Sequence, residues 1–209
     1  MAISKSALAI AILILAFSMP PANAAGIDCA KPSSATDHMI CRSPALMVRD
    51  RIMQDLYAAA LKQDDENKIR AQQREWVQQL PTCGDAACLQ ELYDVQIGNL
   101  LGTKGGLSLS KHFMDRNDDG DQGDLTIFGP VNGFLAVELS TIRIGAQGGQ
   151  AGDIYADSTS GLISLRNGHG RLVVKHCTID FNRLDASTWR TKQSGVCQFA
   201  SDMNGTYRR

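Results

Sequence analysis

The chain has 209 residues, a net charge of −1, and 44% hydrophobic but only 6% aromatic residues. That length allows one large domain or two modest ones, each able to bury a core. The near-neutral balance has no concentrated basic run, which excludes the electrostatic footprint by which proteins hold nucleic acid.

Lys5 gives a short positive start, residues 7–17 form an apolar run, and Ala22-Asn23-Ala24 reads as a small-x-small cleavage site. This is the pattern of a secretory signal peptide over residues 1–24. The apolar run is shorter than the roughly 20 residues that cross a bilayer, and Pro20-Pro21 follows it, so the mature chain from Ala25 is expected to have no membrane span. Cys29 follows Gly26-Ile27-Asp28, not the small apolar box that precedes lipid-modified cysteines. The expected location is the periplasm or the cell exterior. All six cysteines lie after the cleavage site, and in an oxidising compartment an even count predicts a full disulfide set. Cys29, Cys41, Cys83 and Cys88 fall in the first part and Cys177 and Cys197 in the second, so each part can close its own pairs.

Residues 25–102 are rich in Ala, Gln, Leu and charge. A short helix is expected over 36–41. From Pro44 the apolar positions Leu46, Met53, Leu56, Tyr57, Ala60 and Leu61 recur at helical steps, and Ser43-Pro44 supplies an N-cap followed by proline at the first helical position. The polar break 64–67 separates this helix, ending near Gln63, from a second marked by Ile69, Gln73, Trp76, Val77 and Leu80 and stopped by Pro81. The two should form an antiparallel hairpin. A further helix is expected over 85–101. Trp76 and Tyr57 read as core, since aromatic groups bury the most apolar area in a small bundle, and Asp50 and Arg74 as an ion pair across the hairpin. The hairpin should bring Cys83 and Cys88 near Cys41, which favours cross-links between the two ends over the local pairs Cys29 to Cys41 and Cys83 to Cys88. Four cysteines allow three connectivities.

Asp28-Cys29, Ile40-Cys41, Pro44-x-Leu46, Asp50, Tyr57, Ala60-Leu61, Gln73-Arg74-x-Trp76, Cys83, Cys88-Leu89 and Tyr93 together resemble the N-terminal domain of the lysozyme inhibitor LprI family. The resemblance spans Ile27 to Leu101. Two positions depart from it: Arg49 stands before Asp50 where a leucine is expected, and Leu80 occupies a place near Cys83 where an arginine is common.

The segment 102–106 reads as a linker, because glycine, threonine, serine and β-branched residues dominate from Thr103 onward. Strands are expected over 107–113, 124–128, 134–144, 152–156, 162–165, 171–181 and 188–193 and in a last stretch ending Gly205-Thr206-Tyr207. Alternation is clear in Leu135, Val137 and Leu139 and again in Cys177, Ile179 and Phe181. Asn167-Gly168 marks a hairpin turn. The fold class is therefore α+β: a disulfide-bonded four-helix unit, then a small antiparallel β barrel or sandwich over 103–209, stapled by Cys177 and Cys197. Cys197 followed by a polar loop and Asn204-Gly205-Thr206-Tyr207 also resembles the β domain that accompanies the helical domain in some secreted members of the family.

The densest polar cluster runs from Asp115 to Asp124. Asp115, Asn117, Asp119 and Gly120 fit positions one, three, five and six of a calcium loop, with Asp121 beside them, but position twelve is Thr126 instead of a bidentate glutamate. Calcium is a candidate ligand there, the alternative being a solvated acidic turn. His169 and His176 could meet across a turn, yet His38 and His112 are remote and no zinc set forms. Four residues separate Cys83 from Cys88, which is a structural spacing and not a redox one. Nucleophile elbow, phosphate loop and zinc-protease helix are all missing, so the chain reads as a non-enzyme. The resemblance implies a secreted or periplasmic protein that binds and blocks lysozyme, a cell-wall enzyme. A module that recognises a cell-wall component or another envelope protein is the alternative, and a wall-directed hydrolase a more distant one.

Overall fold

The structure is a computed structural model and describes residues 26–116, 121–145 and 153–209. The segment read as a signal peptide lies outside these residues, as do Asn117 and Asp119 of the acidic loop. Helices occupy the first part of the chain and an eight-stranded antiparallel, nearly closed barrel the second.

Each helix starts where a side chain satisfies the orphan amides of its first turn. Helix α1 (Ala35–Arg42) begins with a capping box in which Ser34 accepts from the Asp37 amide and Asp37 accepts from the Ser34 amide. Helix α2 (Pro44–Gln63) is capped by Ser43, and α3 (Glu66–Gln79) by Asp65, whose carboxylate accepts from the amides of Asn67 and Lys68. Helix α3 turns back on α2, where Gln73 Nε2 meets Met53 Sδ at 3.3 Å. A 3-10 turn (Leu80–Thr82) leads to α4 (Ala86–Leu101), capped by Asp85.

The expected cross-links between the two ends of this part do not form. The bridges are the local ones, Cys29–Cys41 and Cys83–Cys88, each with Cα atoms 5.4 Å apart. The cause is local turn chemistry: the turn closed by the Lys31 amide on the Asp28 carbonyl folds Cys29 back onto α1, and the Asp85 cap puts Cys88 in the first turn of α4 beside Cys83. The third bridge, Cys177–Cys197, joins the two cysteines of the second part. Three disulfides fit an oxidising compartment outside the cytoplasm. Among the described residues no helix is long and apolar enough to cross a membrane.

The stretch read as a linker is instead helix α5 (Lys104–Leu109), capped by Thr103. Its glycines serve close packing: a Cβ at Gly105 would lie 2.3 Å from the Ala59 carbonyl carbon, and the Asp64 carboxylate accepts the amides of Lys104 and Gly105. Leu107 is thus helical, and β1 (Lys111–Arg116) starts four residues later than expected.

Strands β2 (Gln122–Val131), β3 (Phe134–Ile144) and β4 (Ile154–Ser164) complete one meander with β1, and β5 (His169–Val174), β6 (Cys177–Arg183), β7 (Thr188–Gly195) and β8 (Gly205–Arg208) form the other. The meanders join where β8 pairs with β1, giving the order β4-β3-β2-β1-β8-β7-β6-β5. Asn167 and Gly168 take φ of 50° and 81° and make the anticipated turn, after which Arg166 and His169 form a single bridge between the two ends of the sheet.

Two cores result. Phe113, Leu125, Val137, Ile179, Phe181 and Trp189 fill the barrel. The helical core, with Leu46, Ile52, Leu56, Tyr93 and Ile97, extends onto the outer face of the barrel through Ala136 and Leu162. Helix α4 approaches β4 so closely that a Cβ at Gly98 would sit 2.4 Å from Ser160 Oγ.

Candidate functional site

Six of the residues that carry the resemblance come together. Asp50, Tyr57, Gln73, Arg74, Trp76 and Tyr93 all line one groove of about 600 Å³ in the helical part. Helical spacing explains the convergence: Asp50 and Tyr57 lie seven apart on α2, Gln73 and Trp76 three apart on α3, and each pair occupies one face.

The floor of the groove is a closed polar network. Asp50 Oδ1 accepts from the Tyr93 hydroxyl at 3.0 Å, and Asp50 Oδ2 accepts from the Ile27 amide at 3.1 Å and from Gln54 Nε2. Burial holds the Asp50 carboxyl above the usual carboxylate range, and these three hydrogen bonds act in the opposite direction. Burial, and then the Asp50 charge, push the Tyr93 hydroxyl far above the ordinary tyrosine range. Trp76 stands edge-on to Tyr93 with centroids 5.0 Å apart and donates its indole N–H to the Leu92 carbonyl. Gln96 Nε2 donates to Gln73 Oε1 at 2.9 Å. Trp76 and Tyr57 are buried, at 6% and 4% exposure, as the sequence indicates.

The expected ion pair between Asp50 and Arg74 is not made. Asp50 turns inward, where hydroxyl and amide donors satisfy it without a cation, and Arg74 is exposed with no ion-pair partner among the described residues. Arg70, one turn away, is bound to Glu66 at 2.7 Å. The groove therefore offers apolar walls and one uncommitted guanidinium.

The departure at Arg49 has a structural reason. Its guanidinium grips Asp94 with two bonds of 2.8 and 2.9 Å, joining α2 to α4, and the Asp94 carbonyl accepts from Ser160 Oγ of the barrel at 2.8 Å. Burial holds the Asp94 carboxyl above its usual range while Arg49 opposes that shift. Sequence reasoning missed this junction, although a signal existed: an arginine between Leu46 and Met53 on an apolar stripe needs a buried partner. Leu80, at the position where the family often carries arginine, is buried in the helical core.

The acidic loop is only partly described. Asp115 accepts the Thr206 amide at 2.7 Å and Asp121 the Ile144 amide at 3.0 Å, so both tie strands together beside a small cavity of about 140 Å³. Asn117 and Asp119 lie outside the described residues, and among those described no group of three or more His, Cys, Asp or Glu side chains gathers to hold a metal ion. His169 and His176 do not meet. They lie at opposite ends of β5, with His169 bonded to Asn182 and His176 in the turn before β6.

The chain matches no family model, no curated protein and no solved structure.

Proposed function

We propose that this is an exported lysozyme-inhibitor-like protein that acts by binding, with the helical groove as its contact surface. The observation that carries this reading is the convergence of six of the resemblance residues, Asp50, Tyr57, Gln73, Arg74, Trp76 and Tyr93, on one groove, where the Arg74 guanidinium has no ion-pair partner among the described residues. Lysozymes cleave sugar polymers with two carboxyl groups facing each other across a cleft. An exposed arginine suits such a target, because its planar fork binds a carboxylate through two parallel hydrogen bonds. The hydrogen bonds from Gln96 to Gln73 and from Trp76 to the Leu92 carbonyl support the reading in a second way, since they fix α3, which presents Arg74, against α4 and so lower the entropy lost on docking. Residues 1–24 as a signal peptide, and the three disulfides, accord with work in the cell envelope or outside it.

The test is the initial rate of cell-wall lysis by a c-type lysozyme, titrated with the mature, oxidised protein. Saturating inhibition is expected, with Arg74→Ala weakening it by about tenfold or more, as arginine anchors do at protein interfaces. Undiminished lysis at large excess of the protein would sink the proposal.

A further inference from the structure

The second meander presents a cationic face to solvent. In β7 the side chains of Trp189 and Thr191 are buried in the barrel, so the two-residue alternation of a strand turns Arg190 and Lys192 outward, where both are exposed. In β8 Tyr207 is buried and Arg208 is exposed on the same outer side. Arg190 and Lys192 stand about 7 Å apart along β7. Arg190 pairs with Thr206 and Thr188 with Arg208, which sets Arg208 diagonally from Arg190 at about 7 to 8 Å. Arg171 joins the face from β5, at the end of the cross-strand row Arg171, Asp180, Lys192. The sequence holds no basic run here, because the fold gathers these cations from three strands.

Their charge is not cancelled within the protein. Asp180 is set among them, and Arg171 holds it at 2.7 Å. Arg190, Lys192 and Arg208 have no ion-pair partner among the described residues, and Arg208 donates only to the Thr206 carbonyl at 3.3 Å. Asp185 lies beyond the strand ends in the β6–β7 turn, where it accepts from the amide and hydroxyl of Ser187. Leu184 opens that turn. Its amide donates to the Thr188 carbonyl, beside Arg208, while its side chain is 49% exposed.

The place of this face in the barrel matters. The helices pack on β3 and β4 through Ala136 and Leu162. Half-way round an eight-stranded, nearly closed barrel from β3 and β4 come β7 and β8, so the cations lie on the side opposite the helices. The helical part has the reverse balance, with eight Lys and Arg against eleven Asp and Glu over residues 26–102.

We propose that the β7–β8 face docks on the phosphate headgroups of an anionic lipid bilayer. The negative potential of such a surface draws Lys and Arg, and arginine binds phosphate through two parallel hydrogen bonds. Leu184 enters the boundary between headgroups and acyl chains. The acidic helices then point away from the bilayer, as charge repulsion requires, and their groove stays open to solvent. A soluble phosphate polymer is the poorer occupant, because it would leave Leu184 in water and follow one line of cations instead of a face spread over three strands. This surface is separate from the helical groove, so it stands or falls without regard to lysozyme inhibition.

The test is co-sedimentation of the full mature protein with phosphatidylcholine vesicles containing about a third phosphatidylglycerol, compared with phosphatidylcholine alone. Binding should be at least about tenfold tighter to the anionic vesicles and should weaken as salt screens the charges. Arg190→Gln with Lys192→Gln should cost about twentyfold in affinity, near fivefold for each cation. The swap Arg190→Lys with Lys192→Arg should retain binding. Lys62→Gln, which removes an exposed cation from α2, should leave it unchanged. Leu184→Ser should weaken it by about twofold or more. Equal binding to the two kinds of vesicle, a loss from Lys62→Gln as large as from a face substitution, or full binding by Leu184→Ser would each overturn the proposal. Binding to polyphosphate without binding to vesicles would overturn it in favour of a soluble polyanion.

Discussion

A carboxyl group buried away from cations retains its proton to higher pH than one in water, and Glu138 on the outer face of β3 shows how this couples to stability. Burial first, and the nearby Asp124 second, raise its ionisation above the usual glutamate range, while His112 acts the other way. Below about pH 4, near the value for an unfolded glutamate, both folded and unfolded chains hold the proton and its contribution is fully present. As the pH rises through the folded-state value, that contribution is lost. Glu138→Gln should therefore gain stability relative to the parent between pH 4 and pH 7, read as the difference in urea midpoint. A pH-independent difference would show that Glu138 is ordinary. Single residues were the least legible scale in the sequence. The aromatic core positions Trp76 and Tyr57 followed from helical spacing, but Asp50 was assigned the wrong partner. Opposite charges at hairpin distance invite a pairing that Tyr93, forty-three residues away, takes instead.

At the scale of elements, periodicity and the Ser43-Pro44 start located the longer helices, while the caps at Ser34, Asp65 and Asp85, equally written in the sequence, emerged only from the structure. Glycine misled where it serves packing. Gly105 and Gly106 looked like a linker and lie inside α5, and Gly161 looked like a break between two strands and lies within β4. The β5 to β6 turn escaped notice for the opposite reason, since Lys175 adopts a φ of 54° without any glycine to mark it. The disulfides permit a quantitative test at this scale. A bridge stabilises chiefly by restricting the unfolded chain, by about 3 kcal/mol for a separation near twenty and about 2 kcal/mol for one near five. Replacing Cys177 and Cys197 together by alanine should thus destabilise the protein more than replacing Cys83 and Cys88, whose separations are 20 and 5 residues. Chemical denaturation of the two variants checks the order, and peptide mapping of the oxidised parent checks the pairing itself.

At the scale of the whole molecule, the change in composition near Thr103 signalled the passage from helices to barrel, but it carried no trace of the contact between them. Leu162 and Ala136 read as ordinary strand residues and belong to the helical core. Leu162→Ala should cost roughly 3 kcal/mol, as buried leucine truncations do. The chain has two tryptophans, Trp76 in the helices and Trp189 in the barrel, so the loss can be followed from both sides. In Trp76→Phe and Trp189→Phe backgrounds the thermal transitions should move down together; a shift in only one would mean that the two parts unfold independently. The strand order has a further consequence, in time instead of space. Each meander pairs neighbours in sequence, whereas β1 must wait for β8, with Asp115 and Thr206 separated by 91 residues. A chain emerging from its N-terminus, at a ribosome or across a membrane, carries β1 with an unsatisfied flank until those distant residues arrive. During that interval the half-built sheet is open to capture by other chains, so a holding partner would matter most just before synthesis or translocation finishes.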